Sequence, residues 1–224
     1  DSLDEVESGR QDDLKPFHKK RKAVAESELE GKLSELFTLS TYRSNILIMM
    51  LTWMFGSFAF FMVPFYLQNI KADIYYLSLA TEIAELLASL VVGLVSQYVN
   101  LRHALFFSCA LIAVGSFLMM FIAESMTETQ EVELTSFSTI ANSALILITN
   151  FGIVCAFDIA YLINTELFPT ILLSTAFGCC NVLARLTSIM SPIAANIPQP
   201  FPLAVLLAFA AVVGIASRFL RPMK

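Results

Sequence analysis

Six stretches of the sequence are apolar for about the length of a membrane crossing, and this constrains the fold more than any other feature. They run over about 45–67, 74–95, 104–123, 137–163, 171–193 and 203–219. At a rise of about 1.5 Å per residue, a stretch such as 45–67 covers a hydrocarbon core of about 30 Å. Backbone N–H and C=O groups find no water there, so each stretch must satisfy its own hydrogen bonds, which makes it a helix. Composition agrees: 57% of the residues are hydrophobic and 15% are charged, where a soluble domain carries about 25% charged residues. The reading is an all-α membrane protein with six transmembrane helices.

The polar residues are segregated. Residues 1–40 form a polar linker, acidic at its start, in which Leu29, Leu33 and Leu36 recur at helical spacing. A short amphipathic helix is predicted over about 23–37, lying at the membrane surface or against the bundle. Residues 41–224 form the bundle. The chain opens Asp-Ser-Leu-Asp-Glu without methionine, which predicts that it begins inside a longer product or after processing. The basic cluster Lys19-Lys20-Arg21-Lys22 stands beside acids and has no partner patch, which argues against nucleic acid as a partner.

Lysine and arginine gather in the N-terminal segment, at Arg102 and at the C-terminus, while the opposite loops carry Lys71 alone. That asymmetry places both termini on the cytoplasmic or matrix-like side. The membrane is then the plasma membrane or that of an organelle, the mitochondrial inner membrane included. Cys109, Cys155, Cys179 and Cys180 all lie in apolar runs and read as packing residues rather than as a disulfide framework or zinc site. His18 and His103 sit in polar stretches. With no nucleophile–base set, phosphate loop or metal cluster in the pattern, neither an enzyme nor a cofactor is expected.

A charge inside a span is costly, by about 2.5 to more than 10 kcal/mol depending on the scale, and marks a candidate functional site. Four such groups stand out: Glu82 and Glu85 at i, i+3 in the second span, Asp158 in the fourth and Arg185 in the fifth. Counted from the nearer span ends, Glu82 and Arg185 both lie at depths of roughly 12 Å, so all four reach towards the mid-membrane zone where transporter sites lie. Arg185 offers a planar fork to a substrate carboxylate or sulfonate; alternatively it is spent on an internal salt bridge to Glu82, Glu85 or Asp158. Glu82, Glu85 and Asp158 either carry a coupling proton or are simply hydrogen-bonded. Trp53, Phe60, Phe61 and Phe65 either line a pocket for flat organic ions or serve as packing. Asn150, Asn164 and Asn181 are candidates for hydrogen bonds between helices, Asn181 also for substrate contact.

The stretch 150–192 carries a family pattern. Tyr161 is followed by Glu166-Leu167-Phe168-Pro169-Thr170, then by Thr175, Gly178 and Ala184-Arg185 through Ile189, Ser191 and Pro192. With the aromatic-rich run Thr52-Trp53-Met54-Phe55-Gly56-Ser57-Phe58-Ala59-Phe60-Phe61, this resembles the organic anion and organic cation transporters of the major facilitator superfamily. The resemblance implies the C-terminal six-helix half of a twelve-helix protein. It also implies a substrate-binding role for Arg185, typical of anion-carrying members, with Phe60 and Phe61 at aromatic pocket positions.

The family's cytoplasmic charge relay is altered. Its elbow, here Gly93, Gln97, Asn100, Arg102 and His103, has Gln97 for an acid, Asn100 for a glycine and His103 for a basic residue. Leu173 stands where an arginine follows the Glu166–Pro169 elbow, Ala84 replaces a proline and Leu86 a lysine. The expected function is secondary-active transport of small organic ions, anions foremost, by alternating access with an N-terminal half not in this chain. Its partners are then the lipid bilayer, the ion and that missing half or other membrane subunits. The alternative is a degenerate half bundle serving as a structural or accessory subunit of a larger membrane complex.

Overall fold

The computed structural model describes residues 33–38, 40–67, 74–128, 136–198 and 200–220. The basic cluster, Lys71 and residues 23–32 of the expected amphipathic helix lie outside them. The described residues form α1 (Leu33–Thr38), α2 (Ser40–Leu67), α3 (Ile74–Val95), α4 (Leu101–Glu128), α5 (Ser136–Leu167), α6 (Thr170–Ser188), α7 (Ser191–Ala195) and α8 (Phe201–Ser217). They contain no strand. The protein is therefore an all-α membrane protein.

Five crossings have both the length and the hydropathy: Tyr42–Leu67, Leu77–Val95, Leu101–Phe121, Ser143–Leu167 and Thr170–Ala195. The apolar α8 has 17 residues, about 25 Å, at the short end of what spans a bilayer. Each helix starts or stops for a local reason. Asn100 caps α4, its side-chain oxygen accepting the Arg102 backbone N–H at 3.2 Å. Pro169 precedes α6 in extended geometry, and Pro202 sits in the first turn of α8, where its missing N–H costs nothing.

The fifth crossing is broken. α6 ends at Ser188 and α7 begins at Ser191 with Pro192 in its first turn. Pro192 has no N–H to give to the carbonyl four residues back, and its ring crowds that carbonyl. The break is held in place by Ser191, fully buried, whose Oγ donates to the Phe58 carbonyl of α2 at 3.0 Å.

Packing is centred on α5, which lies against α2, α3, α4 and α6; α4 also packs along α8, and α2 along α6. Trp53, Phe55, Met62, Leu105, Ile153 and Leu203 are fully buried where these helices meet. Leu36 of α1 is buried too, and α1 packs on α2 and α6. Small residues let the backbones approach. A Cβ on Gly115 of α4 would collide with the Thr149 hydroxyl of α5, and one on Gly214 of α8 would come within 3.2 Å of the Cys109 Cβ. In lipid, where hydrophobic exclusion does not drive helices together, such close contact does.

Gly115→Leu should therefore destabilise the bundle by about 1–3 kcal/mol through overpacking. A Cβ on Gly93 would meet nothing within 4 Å, so Gly93→Leu should stay within about 0.5 kcal/mol. Unfolding of both variants in detergent micelles tests this, and equal stabilities would refute the α4–α5 contact.

Candidate functional site

Trp53 organises an aromatic wall. Its side chain is almost fully buried on α2, with ring centroids of Phe157 at 5.7 Å, Tyr161 at 4.3 Å and Phe177 at 5.6 Å. Phe157 and Tyr161 sit at i, i+4 on α5 and contact each other, and Tyr161 meets Phe177 of α6 at 5.9 Å. Gly56 makes room for Phe157, whose Cδ2 lies 2.6 Å from where a Cβ would be. Half-buried Phe60 and Phe61 extend the wall, Phe60 stacking on Phe157 at 6.3 Å and meeting Phe61 edge-on at 5.5 Å. Phe65 is exposed beyond them. The Trp53 Nε1–H is buried and finds no acceptor among the described residues, a condition that costs about 1–3 kcal/mol if nothing else pairs it. Tyr161 remains 42% exposed, so the wall has an open side.

That side leads to α6. Leu172, Ala176, Cys180 and Ala184 recur every fourth residue and are buried, which turns Gly178, Asn181 and Arg185 outward. These three, with Val182, Leu186 and Ile189, line an open groove of about 600 Å³. Phe177 precedes Asn181 by one turn, so the aromatic wall and the groove adjoin. Arg185 is exposed there. Of the two fates open to it from sequence, the internal salt bridge does not form among the described residues, where Glu85 and Asp158 take other partners.

Those acids make a polar seam between α3 and α5. Asn150 Nδ2 donates to Glu85 Oε1 at 3.3 Å, and Ser89 Oγ donates to Asp158 Oδ2 at 2.7 Å. Between the two bonds, Cys155 Sγ lies 3.9 Å from the Ala88 carbonyl. The pairs rise together along both helices, so α3 and α5 run parallel. Glu82 is exposed and within electrostatic range of Glu85, as is Asp158. Asn164 is fully buried elsewhere on α5, beside the Cys180 thiol of α6. Ser89, Phe157 and Phe177 escape a sequence reading. Ser89 had a signal, since it follows Glu85 by one turn on the same face; Phe157 likewise precedes Tyr161 by one turn.

The elbow residues are spread out. Gly93, Gln97 and Glu166 are exposed and Pro169 is half-buried. Arg102 turns away from both elbows: its Nη1 donates to the Leu220 carbonyl at 3.0 Å, beyond the C-terminus of α8. Arg218 lies over the Phe106 ring at 5.0 Å on the same α4–α8 flank, a cation–π contact. For the seam, a double-mutant cycle on Ser89→Ala and Asp158→Ala should give a coupling of about 0.6 kcal/mol, and no more than about 1.7. Additive losses in unfolding free energy would show that the bond contributes nothing.

No protein-family model matches the chain. Curated proteins do. Solute carrier family 22 member 6 of Rattus norvegicus is 25% identical over 197 residues, 88% of this chain and 34% of its own length. Organic cation/carnitine transporter 2 of Mus musculus is 28% identical over 159 residues, 70% of this chain and 26% of its own. Organic anion transporter 3 of Mus musculus is 22% identical over 173 residues, 77% of this chain and 30% of its own. The chain thus spans about a third or less of the length of these relatives. Over most of its own length, the chain is similar to organic anion and organic cation transporters.

Proposed function

We propose that the chain is the C-terminal half of a secondary-active transporter of small organic ions, with anions as the preferred class. The observation that carries this reading is the exposed Arg185 guanidinium, which has no carboxylate partner among the described residues and stands in a groove beside the Trp53–Tyr161–Phe177 wall. A bidentate fork next to flat rings suits an aromatic carboxylate or sulfonate: the charge goes to Arg185, the ring stacks on the wall and Asn181 supplies a further hydrogen bond. The transporter relatives support organic ions as the broad class. Their names include both anion and cation carriers, so the preference for anions rests on Arg185.

In this reading a second six-helix half closes the groove from the opposite side and rocks against it. The exposed face of α6 and the Glu82–Leu86–Gly93 face of α3 are the surfaces such a half would cover, which leaves Leu87, Leu90 and Leu94, about a third of a turn around α3, to the lipid. The α3–α5 seam, with Glu82, Glu85 and Asp158, is the place for coupled proton movement. Both termini lie on the cytoplasmic or matrix-like side, with the elbows Gly93–Arg102 and Glu166–Pro169.

A second reading, an accessory subunit derived from a transporter, draws on Arg102. Its guanidinium is engaged by the Leu220 carbonyl, while Gln97, Asn100 and Leu173 carry no charge to complete a relay. Mass spectrometry of the protein purified from its own membrane separates the two, since an accessory subunit would co-purify in stoichiometric complex and show no uptake. For the first reading, uptake of radiolabelled aromatic carboxylates is measured in cells expressing the full gene product. Arg185→Ala should lower it by about 10- to 100-fold, the loss of one charge-assisted fork, and Arg185→Lys should recover part of it. Unchanged carboxylate uptake in Arg185→Ala would remove Arg185 from the site, and faster uptake of matched aromatic ammonium ions would reverse the charge class.

A further inference from the structure

A second cavity, of about 370 Å³, lies between the C-terminal half of α3, the start of α4 and the middle of α5. Val92, Val95, Leu101, Phe107, Phe151 and Ile159 are among its walls. Its few polar groups are already turned on backbone carbonyls: Ser96 Oγ on Gly93 and Ser108 Oγ on Ala104, both at 3.0 Å, and Cys155 Sγ on Ala88 at 3.9 Å. Water entering such a space needs two to four polar partners, and an apolar cavity of about 150 Å³ already stays dry and accepts benzene. The chemistry of these walls calls for hydrocarbon.

The opening shows where that hydrocarbon comes from. Val91, Val99, Phe107 and Leu111 line the cavity and are themselves exposed. The same belt continues as Leu87, Leu90 and Leu94 on α3 and Val114, Leu118 and Phe121 on α4. In a bilayer that belt faces acyl chains, and the cavity is an indentation continuous with it. On α5 the cavity takes Phe151, Cys155 and Ile159, about half a helical turn away from Phe157 and Tyr161, so it is separate from the aromatic wall and the Arg185 groove. One end reaches the elbow at Ser96, Val99 and Leu101, where the chain is exposed and polar. There His103 stands exposed one turn before Phe107 on the same face of α4, placed to donate a ring N–H to a phosphate.

We propose that this crevice between α3, α4 and α5 is a phospholipid-binding site, with one acyl chain filling the cavity and the phosphate at the elbow beside His103. The assignment depends on the chain spanning the membrane and not on its transporting anything.

The test uses the full gene product reconstituted in nanodiscs of mixed phosphatidylcholine and phosphatidylglycerol. A phospholipid carrying a photoactivatable diazirine in its acyl chain should crosslink preferentially to peptides containing Phe107, Leu111 and Phe151. Labelling spread evenly over the exposed belt, Leu87, Leu90 and Val114 included, would overturn the site. Native mass spectrometry should find one phospholipid per chain surviving activation that strips the rest. Val92→Trp, which fills the cavity, should reduce that species by about tenfold, comparable to losing the burial of two methylenes. Leu90→Trp on the open belt should leave it unchanged. Equal retention in Val92→Trp and Leu90→Trp would overturn the proposal, and equal retention in His103→Ala would overturn the placement of the phosphate. Should Val92→Trp fail to fold, the crosslinking of the unaltered protein decides alone.

Discussion

α5 has to serve several neighbours at once, and the rest of the bundle follows from how it does so. Facing α4 it presents Thr149 and Gly152, small enough for Gly115 and Ile112 to press against it. Facing α2 and α6 it presents Phe157 and Tyr161, and facing α3 it presents Asn150, Cys155 and Asp158. A soluble helix could leave one of these faces to water. Here a polar side chain on α5 is paired either within the helix, as the Thr149 hydroxyl is with the Leu145 carbonyl at 2.8 Å, or from a neighbouring helix, because hydrocarbon offers no partner. The pairing of Asn150 with Glu85 and of Ser89 with Asp158 therefore fixes the register of α3 along α5. A one-residue register shift of α3 would turn Glu85 and Ser89 about 100° around the helix, away from Asn150 and Asp158.

That register leaves Arg185 where it is. Glu85 and Asp158 are engaged across the α3–α5 interface, while α6 docks on α2 with Leu172, Ala176, Cys180 and Ala184 buried. The guanidinium then stands on the opposite face of α6, among Gly178, Asn181 and Ile189. Net acidity inside the membrane and an available cation on the groove are thus two results of one packing arrangement. The bundle also has two chemically distinct exposed surfaces. One carries a guanidinium and an amide beside aromatic rings; the other, on α3 and α4, is leucine, valine and phenylalanine.

Much of this was legible in the sequence, and the part that was not has a definite cause. Apolar length alone yields helices, because in hydrocarbon no other backbone arrangement of a single stretch is satisfied. The break before Pro192 was not read, since the apolar run 171–193 passes straight through it. Depth in the membrane was legible only coarsely, since Asp158 pairs with Ser89, about 10 Å along α3 from Glu82. Depth is one coordinate, however, and an ion pair needs the facing as well. The salt bridge that three acids and one arginine suggest fails because Asp158 faces α3 while Arg185 faces outward from α6. Trp53 is recognisable as an unusual residue in a span, but its neighbours come from α5 and α6, more than a hundred positions away, and only packing brings them there.

The elbow between α3 and α4 illustrates how a motif can lose its charges and keep its geometry. At the position where the family pattern leads one to expect a glycine, Asn100 accepts the Arg102 backbone N–H and begins α4 by capping it, a role for which asparagine is among the best residues. Arg102 itself closes onto the Leu220 carbonyl, and Arg218 covers Phe106 close by, so α4 and α8 are tied at that end by cations the helix C-terminus favours. The replacements at Gln97 and His103 cost the fold little, since both side chains are exposed. Stability therefore places no demand on charge at these two positions. The opposite holds for Arg185. An exposed guanidinium on a membrane-spanning helix contributes no packing that a leucine would not match, and it is costly wherever it meets lipid. In the proposed site, an organic anion in the groove offsets that cost.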